Sequence, residues 1–241
     1  MAEAVAAGRV LDAVYVVEGR TTELDGLALS PSTPLNLITA DALESVGASV
    51  TPQPVVAVAE WPSWSLADLL AAPEGPIVVA VDLSDPGNAG TLVRSAEAAG
   101  ARGVVLTKGS VDPRSPKVVR AGAGSVARLP VVDGLDAVAV LTELRAAGLR
   151  TVAADASATS SLWDAALPAD VVVVVGSESH GLPAGVSAEV DEAIRVPMSS
   201  SVESLNVGVS AAIVLFEAAR RRAGGVSDLN PSITASNLTG S

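Results

Sequence analysis

Five consecutive valines, residues 171–175, constrain this chain more than any other feature. Side chains along a strand alternate between its two faces, so an unbroken β-branched run buries both faces at once. "PIVVAVDL" (76–83) repeats the pattern, and "RGVVLTKGS", "RLPVVD", "RTVAADA" and "AIRVPM" are shorter strands of the same kind. Helical segments separate them. "NAGTLVRSAEAAG" closes on Gly100, whose missing Cβ suits the left-handed position after a helix. "SPKVVRAGAG" carries Pro116 in its first turn, and "LDAVAVLTELRAAG" and a long C-terminal helix follow the same logic. Strands alternating with helices predict an α/β fold, a parallel sheet covered by helices on both faces. Such sheets bind ligands beyond the carboxyl ends of their strands.

The first sixty residues read as a separate, smaller α/β module: a short helix over Ala2–Ala7, an apolar strand "VYVVEG", then "PLNLITADALESVG" and "SVTPQPVVAVAEWP". The expected division is therefore a small domain over 1–60, a linker over 61–75 that packs on one or both domains, a large domain over 76–224, and a disordered tail over 225–241. The tail is rich in Ser, Thr and Asn and has no hydrophobic period.

Composition removes several classes of function. There is no cysteine, which excludes disulfides, thiolate catalysis and zinc–sulfur sites. A single histidine, His180, leaves no His-rich metal centre, and no metal is expected. One Phe, one Tyr and three Trp give little surface for stacking single-stranded bases. Asp, Glu or Pro interrupts every apolar run before membrane-spanning length, and the N-terminus lacks a basic leader, so a cytoplasmic protein is expected. The net charge of −12 repels polyanions, and nucleic-acid binding would need a local basic patch.

Three strand ends carry unusual polar sets: Ser84-Asp85-Pro86-Gly87-Asn88, with Arg94 one turn into the next helix; Gly176-Ser177-Glu178-Ser179-His180-Gly181; and Pro197-Met198 with the serine run behind it. Each also reads as ordinary local structure. "DPGN" is a good turn, "GSESHG" a tight loop, and Ser200 with Glu203 has capping-box spacing. All three lie at carboxyl ends of buried strands in one domain, which points to a site. No G-x-G-x-x-G follows a strand, no P-loop occurs, and "GSESHG" is not a nucleophile elbow. His180 in a Gly-flanked loop reads as structural.

"LSDPGNAGTLVRSAEAAGARGVVL", "VVVVVGSESHGLP" and "VPMSSSVESLNVGVSAAIVLFEAAR" resemble, in order and spacing, motifs one to three of the SpoU (TrmH-like) RNA ribose methyltransferases of the SPOUT superfamily. "VDPRSPKVVRAGAGSVARLPVV" resembles the segment between motifs one and two, so the likeness covers roughly residues 76–222. More loosely, the N-terminal module is similar to that family's small RNA-binding domain. The resemblance implies a C-terminal trefoil knot that forms the pocket for S-adenosylmethionine, and a homodimer. It implies transfer of a methyl group to a ribose 2′-hydroxyl of RNA, ribosomal RNA first and transfer RNA second.

Carried over by residue, the cofactor positions are Gly176, Ser177, Glu178, Val196, Met198, Ser204, Leu205 and Asn206. The catalytic positions are Arg94, Asn88, Glu178, Ser204 and Asn206. Arg94, Arg114, Lys117 and Arg120 are the expected RNA contacts, with Lys108, Arg128 and the Arg220–Arg222 cluster as further candidates. The cluster equally suits a solvated helix end that offsets the C-terminal dipole. This chain departs from the family at Ser179, where glycine is usual, in its serine-rich 199–201 loop, and in lacking a basic N-terminal segment. Two other readings stay open: a non-catalytic dimer docking on RNA or protein, and a methyltransferase acting on a non-RNA acceptor.

Overall fold

The structure is a computed structural model, and it describes residues 1–46, 53–177, 179–199, 202 and 204–224. The expected tail over 225–241 and the Ser200–Glu203 capping box lie outside the described residues. The N-terminal module is α1 (Ala2–Ala6), β1 (Leu11–Val17), β2 (Leu35–Ile38), α2 (Ala40–Val46) and β3 (Val55–Ala59). Its sheet has the order β2-β1-β3, with β1 parallel to β2 and antiparallel to β3. Val14 and Val16 of β1 are fully buried, and the alternating Ala13, Tyr15 and Val17 are half-buried.

Residues 61–75 contain a helix, α3 (Leu66–Ala71). Ser65 and Asp68 cap it reciprocally, Oγ of Ser65 accepting from the Asp68 N–H and the Asp68 carboxylate from the Ser65 N–H. Its Leu66 and Leu69 are buried in the core built on β4 and its neighbours, so this segment packs on the larger sheet.

The larger domain follows as β4 (Ile77–Ala80), α4 (Pro86–Ala98), β5 (Gly103–Thr107), α5 (Pro116–Ala121), α6 (Ser125–Arg128), β6 (Val131–Leu135), α7 (Ala137–Ala146), β7 (Thr151–Ala154), β8 (Ser160–Ser161), β9 (Val172–Val175), α8 (Ala184–Ser187), β10 (Glu192–Arg195) and α9 (Val207–Ala223). Its seven strands are all parallel, in the order β6-β5-β4-β9-β7-β10-β8. The two-sided burial expected from the valine runs is what the sheet shows. Val78, Ala80, Val173 and Val175 face a layer built on α4, α5, α6 and α9. Ile77, Val79, Val172 and Val174 face one built on α3, α7 and α8.

Two local differences from the sequence reading matter for the site. Helix α4 begins at Pro86, not after the "DPGN" turn, because Oδ1 of Asp85 accepts from the Asn88 N–H at 2.7 Å and Pro86 occupies the first helical position. Strand β10 ends at Arg195, so Val196, Pro197 and Met198 belong to the segment leading to α9. Helix α9 then returns across the sheet to pack on α4, β9 and β7.

Candidate functional site

Beyond the carboxyl ends of β9 and β7 lies a cleft of about 650 Å³, closed on its far side by the start of α9. Gly176, Ser177, Ser204, Leu205 and Asn206 line it, gathering five of the expected residues from two distant parts of the chain. Val196 and Met198 line an apolar crevice that opens beside it, with Leu205 on the wall common to both. Glu178 lies outside the described residues.

The floor of the cleft depends on a close backbone approach. A Cβ on Gly176 would stand 2.3 Å from both the carbonyl carbon and the oxygen of Gly181 and 2.6 Å from the Leu182 nitrogen. No side chain fits there. The 177–181 loop is tied by paired backbone bonds, Ser177 N–H to Gly181 O at 3.1 Å and Gly181 N–H to Ser177 O at 2.9 Å, with Gly181 at φ +64°. Oγ of Ser177 accepts from the His180 N–H at 3.2 Å, and Ser179 Oγ lies 2.7 Å from Nδ1 of His180. His180 also lines the cleft, a placement that reading it only as a loop residue did not foresee.

Motif one meets the cleft through helix ends. Asn206 caps α9, its Oδ1 accepting from the Gly208 N–H at 3.0 Å and the Val209 N–H at 3.3 Å. Its Nδ2 donates to Oδ1 of Asn88 at 2.8 Å. A Cβ on Gly208 would meet Thr91 at 3.3 Å, so the first turn of α9 touches the second turn of α4. Two positive helix ends therefore converge beside the cleft of an acidic chain.

Arg94 lies on α4 one turn beyond Gly90, exposed and without an ion pair or hydrogen bond among the described residues. Lys117 and Arg120 are exposed on α5, which packs so tightly on α4 that a Cβ on Gly90 would stand 2.4 Å from that of Ala121. Arg114 differs. It donates to both carboxylate oxygens of Asp133 at 3.0 and 3.1 Å and to Asp112 at 3.0 Å, and its guanidinium stacks 5.6 Å from the Trp61 ring centroid.

Other arginines are structural. Arg128 joins Glu97 at 2.6 Å and also pairs with Glu3, which fastens α1 to α4 through α6. Arg9 donates to Ala127 O at 2.7 Å and lies over the Trp64 ring, a second tie between the modules. In the last turn of α9, Arg221 donates to the carbonyls of Leu162, Trp163 and Ala165, and Arg222 to those of Ala99 and Gly100. The Arg220–Arg222 cluster is thus mostly an anchor of the helix end. Arg220 and Arg221 also flank Glu217, whose buried carboxyl they lower from its ordinary 4.5 to about 2.

Sequence reasoning overlooked Asp155, Ala156 and Ser157, which follow β7 and form one side of the cleft, and Ser187 and Ser210. The strand-end rule was enough to find the first three, since "RTVAADAS" ends as the other site strands do. Among the described residues no group of three or more His, Cys, Asp or Glu side chains is placed to hold a metal, and no helix is long and apolar enough to cross a membrane.

A doubly covered parallel sheet with a ligand-sized cleft at its carboxyl edge defines an α/β protein that holds a small organic molecule beyond its strand ends. Within that class, residues 75–216 match the model of the SpoU rRNA Methylase family, and the chain belongs to this family. An uncharacterised tRNA/rRNA methyltransferase from a Synechocystis species is 34% identical over 186 residues, 77% of this chain and 67% of the relative. The 23S rRNA (guanosine-2′-O-)-methyltransferase RlmB of Xanthomonas campestris is 32% identical over 211 residues, 85% of either chain. The SpoU methyltransferase AviRb from Streptomyces viridochromogenes, solved with AdoMet, has a TM-score of 0.80 at 28% identity, covering 92% of this chain and 87% of that one. The chain spans about half the length of the mycobacterial relatives it matches.

Proposed function

We propose that this protein transfers the methyl group of S-adenosylmethionine to a ribose 2′-hydroxyl of RNA, with ribosomal RNA the preferred acceptor and transfer RNA second. The observation that carries this reading is the single cleft formed by Gly176, Ser204, Leu205 and Asn206, beside the Asn88–Asn206 bond. The residues present suit the cofactor. The cleft has the volume of a small-molecule site, one apolar side next to Val196 and Met198, and a glycine floor that brings backbone groups to the ligand.

When bound, S-adenosylmethionine supplies an electrophilic methyl group on a sulfonium. The chain must then align a 2′-oxygen with it and exclude competing geometries, a matter of positioning more than of strong acids. Arg94 anchors RNA phosphate and stabilises negative charge developing on the 2′-oxygen, acting as a donor and not as the base. Ser204 and Asn206 position groups near the transferred methyl, Asn88 fixes Asn206, and Glu178 belongs to the same catalytic set. Lys117 and Arg120, with Arg114 beside them, extend the phosphate contacts, and the 1–60 module supplies the rest of the RNA surface.

The protein works as a cytoplasmic homodimer. In support, α9 exposes Val209 and Phe216 on one face, 44% and 51% accessible, and Trp163 is 53% accessible in the turn that Arg221 fastens to the same helix. A C-terminal trefoil knot belongs to the same reading, and the return of α9 over β7 and β9 supports it.

The test is incubation of the full chain with methyl-labelled S-adenosylmethionine and unmodified ribosomal or transfer RNA, followed by alkaline hydrolysis. Label in alkali-resistant dinucleotides is expected, more from ribosomal RNA. Cofactor binding without label in either RNA overturns the reading in favour of a docking dimer or a non-RNA acceptor.

A further inference from the structure

Arg128 has two carboxylate partners, and it holds them unequally. Nε and Nη2 donate to the two oxygens of Glu97 on α4 at 2.6 and 3.0 Å, a two-point contact that fixes the guanidinium plane. Nη1 donates to Glu3 of α1. The Glu97 bonds dominate the upward shift of the Arg128 pKa, and Glu3 adds less. The Glu3 side chain is 56% accessible, against 28% for Glu97. Without Glu3, Arg128 therefore stays charged and aimed, with Nη1 open to another anion.

Helix α1 can leave without disturbing a core. None of its residues is buried, and no side chain caps it. Neither apolar core of the larger domain includes a residue before Trp61, and Arg9 still ties the module to Ala127 O. The contact that α1 gives up is an exposed ion pair, weak and screened by salt.

The place that Glu3 covers adjoins the face of Arg94. Gly90, Arg94 and Glu97 form one stripe of α4, spaced i, i+4 and i+7. Gly90 meets α5 at Ala121, Glu97 meets Arg128, and Arg94 lies between these contacts, one turn before Glu97. Arg120 ends beside the same spot. Its carbonyl accepts from the Ala123 N–H, and a Cβ on the next residue, Gly124, would stand 2.5 Å from the Glu3 Cβ. Glu3 thus sets a carboxylate on a surface where Arg94 and Arg120 are exposed cations.

We propose that Glu3 is an autoinhibitory carboxylate that occupies Nη1 of Arg128 in the free chain, and that an RNA phosphate displaces it and recruits Arg128 beside Arg94. The proposal rests on the RNA methyltransferase reading. No covalent bond changes, since one anion replaces another on the same donor.

Equilibrium binding of labelled, unmodified ribosomal RNA to the full chain at low salt tests it, in a cycle of Glu3→Gln, Arg128→Ala and the double variant. Glu3→Gln binds the RNA about threefold to fivefold more tightly than wild type, the scale of one exposed ion pair that no longer competes. Arg128→Ala binds it more weakly than wild type, and in that background Glu3→Gln brings no gain. Calorimetric affinity for S-adenosylhomocysteine stays the same throughout, and thermal melts check that the fold is retained. An equal gain from Glu3→Gln in both backgrounds shows general charge repulsion and overturns the gate. Weaker or unchanged binding by Glu3→Gln overturns it too, because the pair then serves only to hold α1 in place. Wild-type chain and variants that bind S-adenosylhomocysteine but no RNA overturn the RNA reading, and this proposal with it.

Discussion

Nδ2 of Asn206 donates to Oδ1 of Asn88 at 2.8 Å, joining the starts of two helices 118 residues apart in the chain. Each asparagine also serves its own helix start. The Asn88 N–H is held by the Asp85 cap, and Oδ1 of Asn206 caps α9. The bond ties the end of the cleft to the helix that carries Arg94, so the cleft and that helix keep one geometry.

Replacing Asn88 by Ala removes the acceptor and leaves both caps in place. Unfolding in urea should show a loss of about 1 kcal/mol. Cofactor affinity should stay within a few-fold of wild type, while single-turnover methyl transfer falls by about tenfold or more, because misplacement by an ångström is costly in a reaction governed by alignment. Asn206→Ala loses the α9 cap as well and should cost about 2 kcal/mol.

Arg94→Ala should leave the melting curve nearly unchanged, since the side chain is exposed and without a partner among the described residues. Calorimetry should find cofactor binding intact. Methyl transfer to RNA should fall by roughly a hundredfold to a thousandfold, the scale for losing one group that stabilises transition-state charge. Turnover like that of wild type would show that Arg94 has no part in the chemistry.

Gly176→Ala tests the floor of the cleft. The new methyl group would lie 2.3 Å from the Gly181 carbonyl, where only backbone stands and little can yield. A destabilisation of about 1–3 kcal/mol is expected, with loss of cofactor binding in calorimetry. Gly185→Ala is the control, because no atom lies within 4 Å of its added Cβ, and it should behave as wild type.

Glu217 sets an acid limit on stability. Its folded-state pKa of about 2 lies below the ordinary 4.5, so the Arg220 and Arg221 contacts stabilise the fold fully above pH 4.5 and lose that effect as pH falls toward 2. Glu217→Gln should cost about 2–3 kcal/mol at pH 7, and the gap from wild type should close below pH 4 in thermal melts. A constant gap across that range would assign the effect to packing instead of charge.

Light scattering should find twice the chain mass for the wild-type protein. Phe216→Asp places a charge in the exposed apolar face of α9 and should shift the mass toward that of one chain without a loss of helix in circular dichroism. A wild-type mass equal to one chain would remove the dimer from the proposed function.

The family resemblance points to five residues that line the cleft, Gly176, Ser177, Ser204, Leu205 and Asn206, while residue pattern alone marks only the strand end that Gly176 follows. Gly176 follows the valine run of β9, and Leu205 and Asn206 precede the apolar period of α9. Arg114 was legible only as a charge. Its capture by Asp133 depends on β6 lying beside β5, a long-range pairing that no local pattern expresses. Arg221 and Arg222 likewise look solvated in sequence, and they become anchors only because the 162–165 turn and the end of α4 come to rest against α9.

The sequence by itself determined the elements and the layering. Side-chain period, helix caps and β-branched runs act over a few residues, and they made a parallel sheet buried on both faces the consistent outcome. The tertiary structure decided the order of the strands, with β9 inserted between β4 and β7, and with it which strand ends share a cleft. That choice placed Asp155 in the wall of the cleft and Asn206 against Asn88. The physical reason is range: a strand's pattern states that both faces are buried, but every neighbouring valine strand satisfies it equally, so only the packing of the whole chain selects the neighbour.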